Sequence, residues 1–157
     1  ITYDKKVIEV KMKKLLILFS IMSILCLGFG MVNGAEWVYY ASSKTLEDKY
    51  YYDDTSIFTD SEGAIRIWIK QVFSSKGKPH YIDTMKQNGY NDYKKLEKIS
   101  FVLNYFAIKC NEKRYNLISY YVRDAQGNNI DSGKPESEWN PIKSGDIMEI
   151  LYKKICR

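Results

Sequence analysis

Isoleucine occupies every second position from Ile65 to Ile69, and charged or aromatic residues fill the positions between. Successive side chains of a β-strand point to opposite faces, so this period of two predicts a strand with one buried face over 64–73. A longer alternation, richer in apolar residues, runs over 99–108. Period-two patterning of this kind argues for a sheet.

Further strands are predicted at stretches rich in tyrosine, tryptophan and branched residues. They cover Trp37–Ala41, Lys49–Asp53, Ile57–Thr59 and Arg114–Arg123. The polar stretch Asp83–Lys98 is interpreted as a long connection with one helical turn over Tyr93–Lys98. Because short turns join most of these strands, we predict an antiparallel meander of about six strands.

The C-terminal stretch changes to a helical period. Four apolar residues fall on one helical face: Ile147, Ile150, Leu151 and Ile155. Ser144 precedes them and is the predicted N-cap. One amphipathic helix cannot bury such a stripe alone, so we expect it to lie on the sheet. The predicted fold class is therefore α+β, an antiparallel β-sheet of about six strands with a C-terminal α-helix packed on one face.

An apolar run from Leu15 to Val32 follows two lysines after Met12, and Ala35 lies just beyond its end. A cationic start, an apolar core and a small residue at the cleavage point are typical of a secretory signal peptide. A retained transmembrane anchor is one alternative, because the run reaches the lower limit for spanning a bilayer. A lipid anchor at Cys26 is another.

The signal peptide divides the chain. Residues 1–11 are interpreted as an upstream extension outside the fold, 12–35 as the signal peptide and 36–157 as one exported domain. Cleavage would leave no stable transmembrane anchor. We therefore expect a secreted or periplasmic protein, in which association with the cell surface stays open.

Two cysteines, Cys110 and Cys156, remain in the exported body once Cys26 leaves with the signal. An even number of cysteines in an oxidising compartment indicates one disulfide. Two unlinked buried thiols are the alternative. Since His80 is the single histidine of the chain, a zinc site built from cysteine and histidine is not expected.

The formal net charge of +5 depends largely on the N-terminal segment. Removing residues 1–35 takes away five lysines and two acids and leaves 19 basic against 17 acidic side chains. The body is therefore nearly balanced in charge, which argues against nucleic acid as a partner.

Several segments of the body together point to one known family. They are Glu36–Tyr40, Tyr50–Tyr52, Ile65–Lys70, Tyr105–Cys110, Lys113–Tyr115, Ser137–Ile142 and the terminal helix ending in Cys156. On these segments the chain resembles the bacterial surface-adhesin protein E family over nearly all of 36–157. The cysteine pair and the Trp139–Ile142 arrangement are the most specific part of the resemblance.

The resemblance implies an antiparallel sheet with a C-terminal helix tethered to its concave face by a disulfide. It also implies an adhesin that binds host matrix and serum proteins such as vitronectin and laminin, which makes host matrix or envelope proteins the expected partners. The chain departs from the family because it lacks a convincing lipid-attachment motif, as Leu25 precedes Cys26 where a small residue is required.

The sequence contains no recognised catalytic motif. We interpret His80 as an exposed or packing residue, and the acid pairs Asp53-Asp54 and Glu136/Glu138 as solvated surface rather than metal or glycosidase carboxylates. The expected protein is therefore not an enzyme and holds no cofactor or metal. A small periplasmic hydrolase or ligand carrier, with a pocket between helix and sheet, is the alternative.

The aromatic surplus of the body suggests a binding surface. Four residues are candidate ligand-binding side chains if they fall on an uncovered face of the sheet: Tyr39, Tyr51, Trp68 and Tyr121. Tyrosine and tryptophan provide broad amphipathic contact area at interfaces. Filling the core is the alternative role for each. The predicted function is an exported, non-enzymatic binding protein that presents an aromatic-rich sheet to protein or other extracellular ligands.

Overall fold

The computed structural model describes residues 34–156, which contain eight strands in one antiparallel sheet. In chain order they are β1 (Trp37–Ser42), β2 (Lys49–Asp53), β3 (Phe58–Thr59), β4 (Ile65–Val72), β5 (Ile99–Lys109), β6 (Arg114–Asp124), β7 (Asn129–Gly133) and β8 (Asn140–Pro141). Six of them lie side by side in the order β1-β2-β4-β5-β6-β7, while β3 pairs with β4 and β8 with β6. The predicted meander of about six strands is confirmed.

The predicted upstream extension, residues 1–11, lies outside the described residues. So do the apolar run, Cys26 and nearly all of the predicted signal peptide, residues 12–35. None of the helices within 34–156 has the length and apolar character needed to cross a bilayer.

The period-two patterns correspond to real strands, and the pairing shows where they are interrupted. β4 pairs with β5 without a break from Ile65↔Ile108 to Val72↔Phe101. β1 has a bulge against β2, where Tyr40 and Ala41 both lie opposite Tyr50. A bulge inserts an extra residue and re-aims the side chains around it. Consequently Tyr40 and Ala41 are both buried, although they are consecutive in the strand.

Helices cover part of the sheet: α1 (Gly77–Gln87), α2 (Tyr93–Leu96) and α3 (Ile147–Ile155). The single turn α2 agrees with the predicted helical turn, whereas α1 overturns the interpretation of Asp83–Lys98 as one long connection. Tyr81, Ile82 and Met85 give α1 an apolar stripe that packs on the sheet, and this burial stabilises the helix despite its polar composition.

The predicted N-cap of α3, Ser144, is also wrong, because the cap residue is Asp146. Gly145 has a φ of +87°, a left-handed conformation that ends any helical path through this position. The carboxylate of Glu149, in the first turn, accepts the N–H of Gly145 at 2.8 Å. This contact satisfies a backbone donor just before the helix, as a capping box would.

Both longer helices pack on the same face of the sheet. One buried cluster lies beneath α3 and comprises Tyr40, Ala41, Ile67, Ile69, Ile108 and Leu151. A second cluster lies beneath α1 and α2 and comprises Leu96, Ile99, Val102 and Val122. Val102 lies on the same side of the sheet as Ile67 and Ile69, because β4 and β5 pair without a break and residues two apart in a strand share a side. The predicted packing of the C-terminal helix on one face is confirmed.

A disulfide joins α3 to the sheet. Cys110 follows the end of β5 and Cys156 follows α3, and their Cα atoms are 5.5 Å apart. The hydroxyl of Tyr152 donates a hydrogen bond to the carbonyl oxygen of Cys110 at 3.0 Å. The covalent bond and the hydrogen bond therefore hold the same end of the helix against the same strand end.

Candidate functional site

One row of register partners crosses the sheet on the face opposite α1 and α3. The row consists of Tyr39, Tyr51, Lys70, Leu103 and Tyr121, each paired with the next. These positions alternate with those buried beneath the helices, such as Ile69 beside Lys70. Their side chains therefore share the other face, which we call the aromatic face.

All four candidate binding residues named from the sequence lie on the aromatic face. Tyr39, Tyr51 and Tyr121 belong to this row, and Trp68 belongs to the next row, where it pairs with Tyr105. Tyr39 has 53% of its surface exposed. The structure thus brings the four residues together on one surface, and their role in binding stays a prediction.

Aromatic rings contact one another across the strands of this face. Trp68 stacks on Tyr105 with ring centres 4.8 Å apart, and its distance to Tyr121 is 5.8 Å. Tyr39 meets Tyr51 edge to face at 5.7 Å. Such pairs add stability beyond the area they bury and limit the freedom of each ring. A ligand would therefore meet a largely preorganised surface.

Sequence reasoning missed three aromatic residues of this face: Trp37, Phe101 and Tyr105. Their positions carried a usable signal, since Tyr105 and Phe101 have the same parity in β5, and Trp37 has the same parity as Tyr39 in β1. The period of two thus places Tyr105 and Phe101 on one side of β5, and only the pairing of β4 with β5 places Tyr105 opposite Trp68.

Two basic side chains extend among the rings. The Nζ atom of Lys70 lies 4.7 Å from the centre of the Phe101 ring and 5.6 Å from that of Trp37. The guanidinium of Arg123 lies 5.4 Å from the ring centre of Tyr121. Cation–π attraction and contact with the aliphatic stems hold both side chains on the face. The aromatic face therefore carries positive charge at its centre and at one side.

A shallow depression of about 480 Å³ occupies part of this face. Its lining residues are Ala35, Trp37, Asp53, Trp68, Leu103, Tyr121 and Arg123. Asp53 is buried, in contrast to the solvated surface expected for the acid pair Asp53-Asp54. One oxygen of Asp53 accepts the backbone N–H groups of Glu36 and Thr55 at 3.0 and 3.1 Å, and the Thr55 hydroxyl at 2.7 Å. This carboxylate thus fixes the local turn.

The far end of the sheet holds a second depression of about 380 Å³. Arg66, Asn116, Lys134 and Trp139 are among its lining residues. Two of the cations near it are paired within the protein, because Arg66 binds Asp60 at 2.6 Å and Lys109 binds Glu112 at 3.4 Å. Trp139 lies beneath Lys109, with 4.7 Å between the Nζ atom and the ring centre.

The histidine and the acid pairs considered from the sequence lie on separate elements within residues 34–156. His80 is exposed on α1, and Glu136 and Glu138 are exposed in a loop. A depression of about 340 Å³ beside α1 includes Lys78, Asp83 and Glu97 in its lining, but not His80. Within residues 34–156 no group of three or more histidine, cysteine or acidic side chains is placed to hold a metal ion.

Comparison with known proteins identifies one family. A model of the family described as surface-adhesin protein E matches residues 37–157, which include every strand and helix described above. Neither the search of curated proteins nor the search of solved structures finds a significant match. The family match covers more than two thirds of the chain. The chain belongs to the surface-adhesin protein E family.

Proposed function

We propose that this protein is an exported, non-enzymatic binding protein whose aromatic face contacts a protein ligand at or outside the cell surface. The observation that carries the proposal is the gathering of Tyr39, Tyr51, Trp68 and Tyr121 on the sheet face opposite both longer helices. A sheet covered by helices on one face ordinarily has its apolar side chains on that face. Here the uncovered face has large aromatic rings as well.

The chemistry of the face suits contact with protein. Tyrosine and tryptophan are enriched at interfaces because a rigid ring provides area while its polar atom keeps a hydrogen-bond partner. Few residues supply most of the binding energy in such interfaces, and they cluster in preorganised surroundings. The mutual contacts of Trp68, Tyr105 and Tyr121 provide such surroundings.

Three observations support location outside the cytosol. The family is one of surface adhesins. The apolar run over 15–32 has the layout of an export signal. The Cys110–Cys156 disulfide is of the kind that persists in oxidising compartments. We infer a secreted or periplasmic protein that reaches its ligand at the envelope or beyond it.

A retention experiment with matched variants tests the proposal. The purified protein is immobilised and exposed to extracellular-matrix and envelope protein fractions. Tyr39→Ala and Tyr93→Ala change two tyrosines of nearly equal exposure, 53% and 51%, and only the first lies on the aromatic face. We expect Tyr39→Ala and Tyr121→Ala to weaken retention of the bound protein roughly tenfold or more, and Tyr93→Ala to leave it unchanged.

Two results would reject the proposed function. One is the absence of any retained matrix or envelope protein, with and without reductant. The other is retention that is equally strong for Tyr39→Ala, Trp68→Ala and Tyr121→Ala variants that are folded by circular dichroism.

A further inference from the structure

We propose that the aromatic face takes an acidic, extended polypeptide segment, whose carboxylates pair with Lys70 and Arg123. This inference rests on the proposed function and specifies the chemistry of its ligand. It follows from the charge, spacing and surroundings of these two side chains.

Lys70 and Arg123 are among the basic residues that no acid of the described chain neutralises. Six ion pairs within residues 34–156 involve other lysines and arginines, for example Arg66–Asp60 and Lys153–Glu149. Among these described residues no carboxylate lies within ion-pair distance of Lys70 or Arg123. Lys70 instead lies against the rings of Phe101 and Trp37. Arg123 lies against the Tyr121 ring and donates one hydrogen bond to the Gly127 carbonyl oxygen at 3.2 Å, so its remaining N–H groups can pair with an external carboxylate.

The one acid that lines the neighbouring depression does not neutralise them. Asp53 is buried, and one of its oxygens already accepts three hydrogen bonds from Glu36 and Thr55. The aromatic face therefore has two half-buried cations, Lys70 and Arg123, and one carboxylate, Asp53, that is already used in hydrogen bonds within the protein. A surface with this charge attracts anionic groups and disfavours cationic ones.

The rings strengthen that preference. Lys70 is half-buried and its ammonium group lies close to the Phe101 and Trp37 rings, so aromatic surface replaces part of the water around it. Removing water lowers the local dielectric constant and strengthens attraction to an approaching carboxylate. Charge-assisted hydrogen bonds of this kind are stronger than those between neutral groups. The surrounding aromatic area remains available for the apolar parts of the same ligand.

The spacing of the two cations fits an extended chain. Lys70 in β4 is in register with Leu103 and Tyr121, and Arg123 lies one same-face position beyond Tyr121. Two strand spacings and two residues along β6 separate their Cα atoms by about 12 Å. Residues i and i+4 of an extended peptide are about 13 Å apart and point the same way. The matching ligand has two acidic residues four positions apart, with an aromatic or apolar residue midway.

Two synthetic peptides test this inference by NMR titration of the ¹⁵N-labelled full chain. The first is Gly-Glu-Ser-Tyr-Ser-Glu-Gly and the second is its amide counterpart, Gly-Gln-Ser-Tyr-Ser-Gln-Gly. The three tryptophan indole N–H resonances report position, because Trp37 and Trp68 lie on the aromatic face and Trp139 lies at the far end of the sheet. We expect the glutamate peptide to shift the Trp37 and Trp68 signals, with roughly tenfold tighter binding than the glutamine peptide at low salt.

Charge variants complete the test. Lys70→Gln and Arg123→Gln should each reduce affinity for the glutamate peptide roughly threefold, and together should bring it near that of the glutamine peptide. Lys70→Arg should retain most of the affinity, and Lys94→Gln, on α2, should change nothing. The expected loss with Lys70→Gln and recovery with Lys70→Arg separate a charge effect from a folding defect.

Three outcomes would overturn the inference: equal affinity for the two peptides, binding that survives both charge variants, or binding of a heparin oligosaccharide but of neither peptide. The proposed function can stand in each case. If Tyr39→Ala and Tyr121→Ala still reduce retention of a matrix or envelope protein, the face binds protein by another chemistry. If they do not, both proposals fail.

Discussion

Cys156 is bonded to Cys110, 46 residues earlier in the chain, and thereby holds the end of α3 at the end of β5. The helix contributes Leu151, fully buried, to the core beneath it. In the chain-entropy account, a disulfide stabilises a protein by restricting its unfolded chain. A loop of this size corresponds to about 4 kcal/mol of stabilisation. The bond therefore accounts for much of the stability that a small domain possesses.

Replacing Cys156 by serine should lower the melting temperature by roughly 10–20 °C. The double variant Cys110→Ser/Cys156→Ser should melt at a similar temperature, since either change removes the same bond. Thermal unfolding followed by circular dichroism measures the shift, with reduced unsubstituted protein as the reference. Equal melting temperatures for the oxidised protein and the variants would contradict a stabilising role for the bond.

The Tyr40 hydroxyl is buried and has no hydrogen-bond partner among the described residues. Burial raises the pKa of Tyr40 far above its ordinary value, with a further contribution from Tyr50. Because an unpaired buried hydroxyl loses its hydration without compensation, Tyr40→Phe should stabilise the protein by about 1 kcal/mol.

Tyr152→Phe is the matched control for Tyr40→Phe. It removes the same atom, but here the hydroxyl donates to the Cys110 carbonyl oxygen. Loss of that bond should destabilise the protein by about 1 kcal/mol. Urea denaturation measures both changes, and equal signs for the two variants would contradict this account of Tyr40.

Gly77, the first residue of α1, approaches Asp48 so closely that a Cβ atom would overlap the Asp48 carboxylate. That carboxylate is fully buried and accepts the N–H of Ser74 at 2.8 Å and the amide of Gln71 at 2.9 Å. Alanine usually stabilises a helix relative to glycine. Gly77→Ala should instead destabilise by about 2–4 kcal/mol, since it displaces a buried, hydrogen-bonded charge.

A double-mutant cycle isolates this contact between Gly77 and Asp48. In an Asp48→Ala background the overlap is absent, so Gly77→Ala should cost at least about 1 kcal/mol less than in the parent protein. Denaturant unfolding of the four proteins provides the measurement. Additive effects would show that the overlap with Asp48 does not limit this position.

Tyr81 belongs to the apolar stripe by which α1 packs on the sheet. Its ionisation should make the free energy of unfolding fall at alkaline pH. Burial raises the pKa of Tyr81 to about 12, with smaller contributions from Tyr120 and Asp131. An unfolded tyrosine ionises near pH 10, so the folded state retains a proton that the unfolded state releases between these values. This contribution is complete below about pH 10 and is lost as the pH rises towards about 12.

Tyr81→Phe should therefore flatten the decline of stability between about pH 10 and pH 12, by about 2 kcal/mol over the range. The free energy of unfolding in urea, measured at intervals of pH, shows the slope of each protein. Parallel slopes for the parent and the variant would argue that Tyr81 ionises in the folded state as it does in the unfolded chain.

Much of the sheet could be predicted from local pattern, and the misses have local reasons. The strand over 65–72 is a plain period of two, and it pairs with β5 without a break along its whole length. α1 escaped because its apolar residues, Tyr81, Ile82 and Met85, are few and Pro79 precedes them. Proline in a first helical turn interrupts no internal hydrogen bond, so it does not exclude a helix there.

The sequence by itself determined six of the eight strands, the amphipathic last helix, the even pair of body cysteines and which residues share a side of each predicted strand. The side that the helices cover was decided only in the tertiary structure. In the run Tyr50–Tyr52 the outer two rings pack against the core under α3 and Tyr51 takes the other face. Tyrosine is amphipathic and tolerates either environment, so only the docking of α3 and the bulge at Tyr40 select between them.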